Sequence, residues 1–203
     1  MSAIGPHKIT EEFEKVISDY TKAPYCVAID NCSNALFLAL TYEGINRKKI
    51  GIPSRTYPSV PCEIIHAGGI VEFYKVEGKI KGEYRLLNTK IFDSALRFTS
   101  NMYKNGFTQC LSFSGPHKHL KLGKGGMILT DDIEAYKWYK KARFSGRSEC
   151  SYHDDNFTMT GWNFYMLPEI AAKGIGLMAG IKENNEDLEL LYSDLSKYKI
   201  YKN

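Results

Sequence analysis

The sequence predicts a three-layer α/β fold, with a mostly parallel central sheet and helices on both faces. Three observations carry this expectation. Short apolar runs of strand length alternate with amphipathic stretches of helix length along most of the chain, the order that builds βαβ units. The 203 residues are enough to bury a real core as one domain. A lone carboxylate, Asp93, ends one apolar run, where open α/β sheets place their ligands.

Residues 10–20 read as an amphipathic helix that Thr10 can cap, with Glu11 and Glu12 in the first turn and Phe13, Val16, Ile17 and Tyr20 on one face. A buried strand at 25–29 leads through Asp30 and Asn31 into a helix from about residue 35 to 42. This junction turns the backbone N–H groups of Cys32, Ser33 and Asn34 toward one point, where the positive helix end favours an anion. A short strand at 50–53, a loop R-T-Y-P-S containing Tyr57, a helix through 63–67 closed by Gly68 and Gly69, and a strand at 70–74 follow. Residues 76–87 are polar and lysine-rich and read as a surface excursion. The strand at 90–92 then runs into Asp93, which is either a ligand-facing carboxylate or a helix cap.

The stretch from Cys110 to Asp132 organises the rest of the chain. It reads as a strand ending at Ser112 and Phe113, a short loop presenting Lys118 between His117 and His119, a glycine-rich turn, and a second strand at 127–130. A lysine is ordinarily a solvated surface residue. Here Ser112 precedes it, Gly123, Gly125 and Gly126 follow it, and Asp93 ends an earlier strand, so the company suggests a Schiff-base lysine. Asp131 or Asp132 caps a helix to about Arg143, and residues 144–160 form a long loop. A helix begins near Pro168, with Ile170, Ile175, Leu177 and Met178 for the core, and residues 183–199 read as a charged amphipathic helix.

Composition narrows the functions. A formal charge of +4 is spread along the chain with no basic run, so no nucleic-acid partner is expected. The N-terminus has no apolar signal core and no run is long enough to span a bilayer, which predicts a cytoplasmic protein without a membrane partner. Five cysteines, odd in number and far apart, predict reduced and mostly buried thiols. His117 and His119 have no third ligand in the same pattern, so no metal is expected. No G-x-G-x-x-G lies at a strand–helix turn, which disfavours a plain nucleotide-binding Rossmann domain.

Set side by side, these stretches resemble the DegT/StrS-type sugar aminotransferases, pyridoxal-phosphate enzymes of the aspartate aminotransferase fold (fold type I), from the first helix to about Met178. The family's Ser-Gly-Thr phosphate turn resembles N-C-S-N-A-L, with Ser33 at the hydroxyl position and Cys32 in place of glycine. Its P-x-x-T-[FY] loop, whose aromatic ring stacks on the cofactor, resembles I-P-S-R-T-Y and implies that role for Tyr57. I-F-D-S-A-L matches E-D-A-A-Q and implies that Asp93 faces the pyridine nitrogen. S-F-S-G-P-H-K-H-L resembles the loop of the Schiff-base lysine, implying Lys118 for the lysine and Ser112 for the phosphate. G-W-N-F-Y-M resembles G-Y-N-Y-R-M, whose asparagine reaches the neighbouring subunit's phosphate, and implies Asn163.

The resemblance implies catalytic roles for Lys118 and Asp93 and a pyridoxal 5'-phosphate site formed by Cys32, Ser33, Asn34, Tyr57, Asp93, Ser112, Lys118 and Asn163. It implies an amino donor, typically glutamate, a nucleotide-linked keto-sugar acceptor of the kind used in polysaccharide biosynthesis, and a homodimer. The expected organisation is one large domain over 1–203: an N-terminal helix segment at 1–24, a core at 25–182 and a C-terminal helix at 183–203, ending before the family's smaller C-terminal domain. Besides Cys32, three positions depart from the pattern: Leu96 stands for the glutamine, Lys124 for an acidic residue, and His117 for the serine or threonine before the lysine. Two other readings stand beside the aminotransferase. Related deoxysugar dehydratases carry histidine at the lysine position, and a shortened relative could serve as a non-catalytic binding or assembly module.

Overall fold

A computed structural model describes residues 6–201, so the two ends of the expected domain, 1–5 and 202–203, lie outside the described residues. Helix α1 (Pro6–Thr21) precedes β1 (Tyr25–Ile29) and α2 (Cys32–Tyr42); β2 (Lys49–Pro53), α3 (Ser59–His66) and β3 (Ile70–Tyr74) follow. Three short strands come next, β4 (Ile80–Lys81), β5 (Tyr84–Arg85) and β6 (Ile91–Asp93), then the hairpin β7 (Thr108–Ser112) and β8 (Gly126–Thr130). The chain continues through α4 (Ile133–Ala142) and α5 (Pro168–Met178) to β9 (Glu189–Leu190).

The layers follow from alternation along the strands. In β1, Val27 and Ile29 point to a core shared with α2, α3 and α4, while Cys26 and Ala28 point to a second core with Phe13 and Ile17 of α1 and Ala171 of α5. In β8, Ile128 joins the first core, and Met127 and Leu129 the second. The sheet is therefore covered on both faces, as the sequence predicts.

The expectation of a mostly parallel sheet needs correction, because the sheet is mixed. Its main part runs β1-β8-β7-β6-β5, and only the β6–β7 pair within it is parallel. Strands β2 and β3 form a parallel pair, joined to the rest through reciprocal Gly51–Leu87 backbone bonds of 3.3 and 2.8 Å. The cause is the form of the connection. Residues 113–125, between β7 and β8, contain no helix, and a parallel return needs a crossover of a dozen or more residues, usually helical. The chain turns straight back instead.

Several elements differ from the sequence reading. Thr10 is buried inside α1 rather than capping it, since the helix begins earlier. Helix α2 starts at Cys32, capped by the Asn31 side chain, and α3 starts at Ser59. Of the two candidate caps of α4, Asp132 serves, accepting from the backbone N–H groups of Glu134 and Ala135 at 2.8 and 3.1 Å. Residues 76–87 are not a surface excursion: Ile80 and Leu86 are buried there, and Tyr84 reaches the sheet.

Residues 183–199 do not form the expected helix. They run as a strap in which β9 pairs with β4, Arg97 holds Asp187 at 2.9 Å, and the Asn185 amide donates to Phe98 O at 3.0 Å. Leu195 is buried, and its N–H donates to Ser54 O at 2.7 Å. These long-range bonds outweigh a weak local preference for helix. All five cysteines are free, but only Cys26 and Cys110 are buried; Cys32 and Cys62 are half-buried and Cys150 is exposed.

Candidate active site

The mixed sheet gathers its functional side chains at one end of the strands. Asp93 closes β6, Ser112 closes β7, and Cys32 and Ser33 open α2 directly after β1. Gly126, opening β8, lies so close to this helix start that an added Cβ would come within 2.6 Å of Asn31 C and 2.7 Å of Cys32 N. A side chain there would push strand and helix apart. These elements enclose a cavity of about 660 Å³, lined by Asn31, Cys32, Ser33, Asp93, Ser112 and Lys118 among others.

Lys118 lies on the loop between β7 and β8 and is only 6 % exposed, and its Nζ donates to Ala95 O. Burial lowers the amine's pKa from the usual lysine value; the neighbouring Cys32 and Asp93 act in the opposite direction. Asp93, 5 % exposed, accepts from Tyr84 Oη at 2.7 Å and from the Ala95 N–H at 3.0 Å. Burial raises the Asp93 carboxyl above its usual range, while the Tyr84 and Ala95 bonds and Lys118 pull it down. A lysine and a carboxylate, both nearly buried, thus share one cavity.

Beside them stands a set of hydroxyls. Ser33 Oγ donates to Ser59 Oγ at 2.6 Å, and Ser112 and Ser114 line the same cavity. Asn31 caps α2 by accepting from the Asn34 N–H at 2.9 Å, and the Asn34 amide donates to Asp30 at 2.7 Å. Asn34 is therefore spent on its own turn and does not line the cavity, contrary to expectation. Burial pushes the Cys32 thiol well above its usual range, with Asp93 adding to the effect, so Cys32 stays a neutral wall.

Tyr57 lines the mouth and is 57 % exposed, with its ring 6.2 Å from that of Tyr192, edge to face. Tyr192 and Leu190 belong to the strap, and the Tyr192 carbonyl accepts from Arg55 at 2.8 Å. Nothing in the local sequence marks Tyr192, because only long-range pairing brings it there. Ser59 and Ser114 were within reach of sequence reasoning, the first two residues beyond a matched motif and the second inside one. Leu96 turns into a small side pocket with Tyr84, Thr56 and Asp93. Lys124 lines the cavity and lies 3.4 Å from Asp30. Asn163 is exposed and lies outside its own chain's cavity.

Among the described residues, no group of three histidine, cysteine or acidic side chains could hold a metal, and no helix is long and apolar enough to cross a membrane. The donor set fits pyridoxal phosphate instead: an amine for the aldehyde, a buried carboxylate for the ring nitrogen, and hydroxyls at a helix N-terminus for the phosphate.

The fold is that of the α/β class to which solved aminotransferases belong. An aminotransferase from Psychrobacter cryohalolentis superposes with a TM-score of 0.71 at 17 % identity, over 85 % of this chain and 56 % of that one. PseC from Helicobacter pylori, an aminotransferase involved in the biosynthesis of pseudoaminic acid, gives 0.67 at 16 %, over 85 % and 57 %. Spr1654 from Streptococcus pneumoniae, with structures in PLP, PMP and apo forms, gives 0.69 at 16 % for the PMP form, over 84 % and 58 %. The chain thus spans less than three fifths of the length of these structures. No curated protein sequence matches it. The profile of the DegT/DnrJ/EryC1/StrS aminotransferase family matches residues 3–81 and 101–197, and the chain belongs to that family.

Proposed function

We propose that this chain binds pyridoxal phosphate through Lys118 and serves as the cofactor-holding part of an aminotransferase, moving an amino group from a donor such as glutamate to a nucleotide-linked keto-sugar. The observation that carries the proposal is the buried Lys118 amine sharing a cavity with the buried Asp93 carboxylate at the start of α2. When bound, the cofactor supplies an aldehyde that captures amines and a ring that accepts electron density.

The chain's own residues would do the rest. The free amine of Lys118 would attach the cofactor and, once released, carry a proton at Nζ between substrate and cofactor carbons. Asp93 would hold the proton on the ring nitrogen. Ser33 and Ser112, with Ser59 and Ser114 beside them, would take the phosphate, helped by the positive end of α2. Tyr57 would stack on the ring, and Tyr192 would keep water from its side of the mouth. Asn163 would act only from a second copy, so the reading includes a homodimer working in the cytoplasm.

Visible absorption of the protein with pyridoxal phosphate, followed by borohydride and peptide mapping, tests this reading. We expect a stable reduced adduct on Lys118, and its loss in Lys118→Ala. Labelling scattered over surface lysines would argue against Lys118, and cofactor binding with no borohydride-reducible adduct, since an imidazole has no primary amine to condense with the aldehyde, would point instead to the dehydratase arrangement.

A further inference from the structure

The floor of the cavity holds a contact that the family match leaves out, since residues 82–100 are unmatched and contain both partners. Tyr84 Oη donates to Asp93 Oδ2 at 2.7 Å, and Thr56 Oγ1 stands 2.5 Å from the same phenol oxygen. A phenol has one proton to give. With that proton on Asp93, Thr56 is the donor of the second bond, and the three side chains form one directed chain from Thr56 through Tyr84 to Asp93. The other carboxylate oxygen is held by the Ala95 N–H at 3.0 Å, so both oxygens are fixed.

We infer that Tyr84 is a positioning residue: its hydroxyl, oriented by Thr56, aims the Asp93 carboxylate into the cavity and favours its charged form. The inference rests on the proposed reading only in taking a protonated ring nitrogen as what Asp93 faces. The titratable groups around Asp93 are Lys118 from the β7–β8 loop, Glu83 beside β5, Cys32 of α2, Cys110 of β7, Tyr84 of β5 and Tyr192 of the strap. Of these, Lys118 and Tyr84 favour the carboxylate, and Glu83 opposes it. Burial also works against the Lys118 ammonium. Whenever that amine is neutral, Tyr84 is the side chain left to hold Asp93 ionised. Burial, and then Asp93 itself, push the Tyr84 phenol well above its usual range, so it keeps the proton it donates.

Tyr84→Phe removes one oxygen and keeps the ring in place. The first measurement needs no cofactor: titration of the Asp93 carboxyl by carbon NMR on aspartate-labelled protein, with Asp93→Asn giving the assignment. The midpoint should move up by about one pH unit in Tyr84→Phe, and less in Thr56→Val. The second measurement is pyridoxal phosphate affinity, which should weaken about tenfold in Tyr84→Phe but show no further loss when the change is made in Asp93→Asn. An unmoved Asp93 midpoint, or an equal loss of affinity in the Asp93→Asn background, would overturn the inference and leave cofactor binding untouched. A wild-type protein that binds no pyridoxal phosphate, with the midpoint still shifting, would instead sink the proposed function and keep the Tyr84–Asp93 coupling.

Discussion

Lys118 shows how a single side chain can be converted from solubiliser to reagent. An exposed lysine at neutral pH is almost wholly ammonium and a poor nucleophile. Placed on the β7–β8 loop and buried, Lys118 loses hydration that the charged form needs, and its pKa falls despite Asp93 nearby. The sign of the pH effect follows: between the lowered folded value and the unfolded one, the unfolded chain binds more protons, so this residue makes stability rise with pH across that window. The same shift enriches the free amine. Brief exposure to limiting pyridoxal phosphate and borohydride, across a pH series, should therefore label Lys118 to its plateau at lower pH than the bulk lysines, with a preference of about tenfold near neutrality. Lys118 labelling that tracks the bulk at every pH would mean that burial does not activate it.

At the scale of elements, the strap of residues 183–201 walls one side of the cavity mouth. Its grip comes from the β4–β9 pair, the Arg97–Asp187 ion pair and the buried Leu195, and it delivers Leu190 and Tyr192 to the mouth. Burial, with Asp93 adding to it, pushes the Tyr192 phenol up to about 12, so it presents a neutral hydroxyl to the cavity at any working pH. Leu195→Ala should cost about 2–4 kcal/mol in chemical unfolding, as for other buried leucines, and should weaken pyridoxal phosphate binding while saturating cofactor still labels Lys118. Unchanged affinity in a destabilised variant would show that the strap is structural only. The charge and amphipathic spacing of 183–199 suggested helix; what decided against it were partners far away in sequence, Phe98, Ser54 and Arg55, which periodicity cannot see.

At the scale of the whole molecule, the two helical layers are tied together at the β1 edge by Arg143. Fully buried, it meets Glu14 of α1, Glu149 of the following loop at 2.6 Å and the carbonyl of Ala28 at 2.6 Å, while Lys140 bridges Glu14 at 3.1 Å and Glu149 at 2.7 Å. Burial alone would raise Glu149, but Arg143 and Lys140 outweigh it and hold the carboxyl below the usual glutamate value. That stabilisation is present above the unfolded pKa and is lost as pH falls through the folded one. Arg143→Met should cost about 3–5 kcal/mol near neutral pH, because it leaves two buried carboxylates to Lys140 alone, and the deficit should shrink on acidification. Denaturant unfolding at several pH values measures both. An equal deficit at all pH values would mean that packing, not charge, is what Arg143 contributes.

The sequence by itself determined the layered α/β class, the place of most elements and the chemical identities at the core of the site. Strand and helix periods, a serine-bearing turn after β1, a carboxylate ending β6 and a lysine among glycines are local patterns, and local sterics and capping read them directly. Tertiary structure alone decided which strands run antiparallel. It also decided that Tyr84 reaches Asp93 and that the last segment crosses the cavity mouth as a strap. The physical reason is the same in each case. Burial, pairing and hydrogen bonding between residues distant along the chain set these features, and their energies exceed the fraction of a kcal/mol per residue at which local propensity speaks.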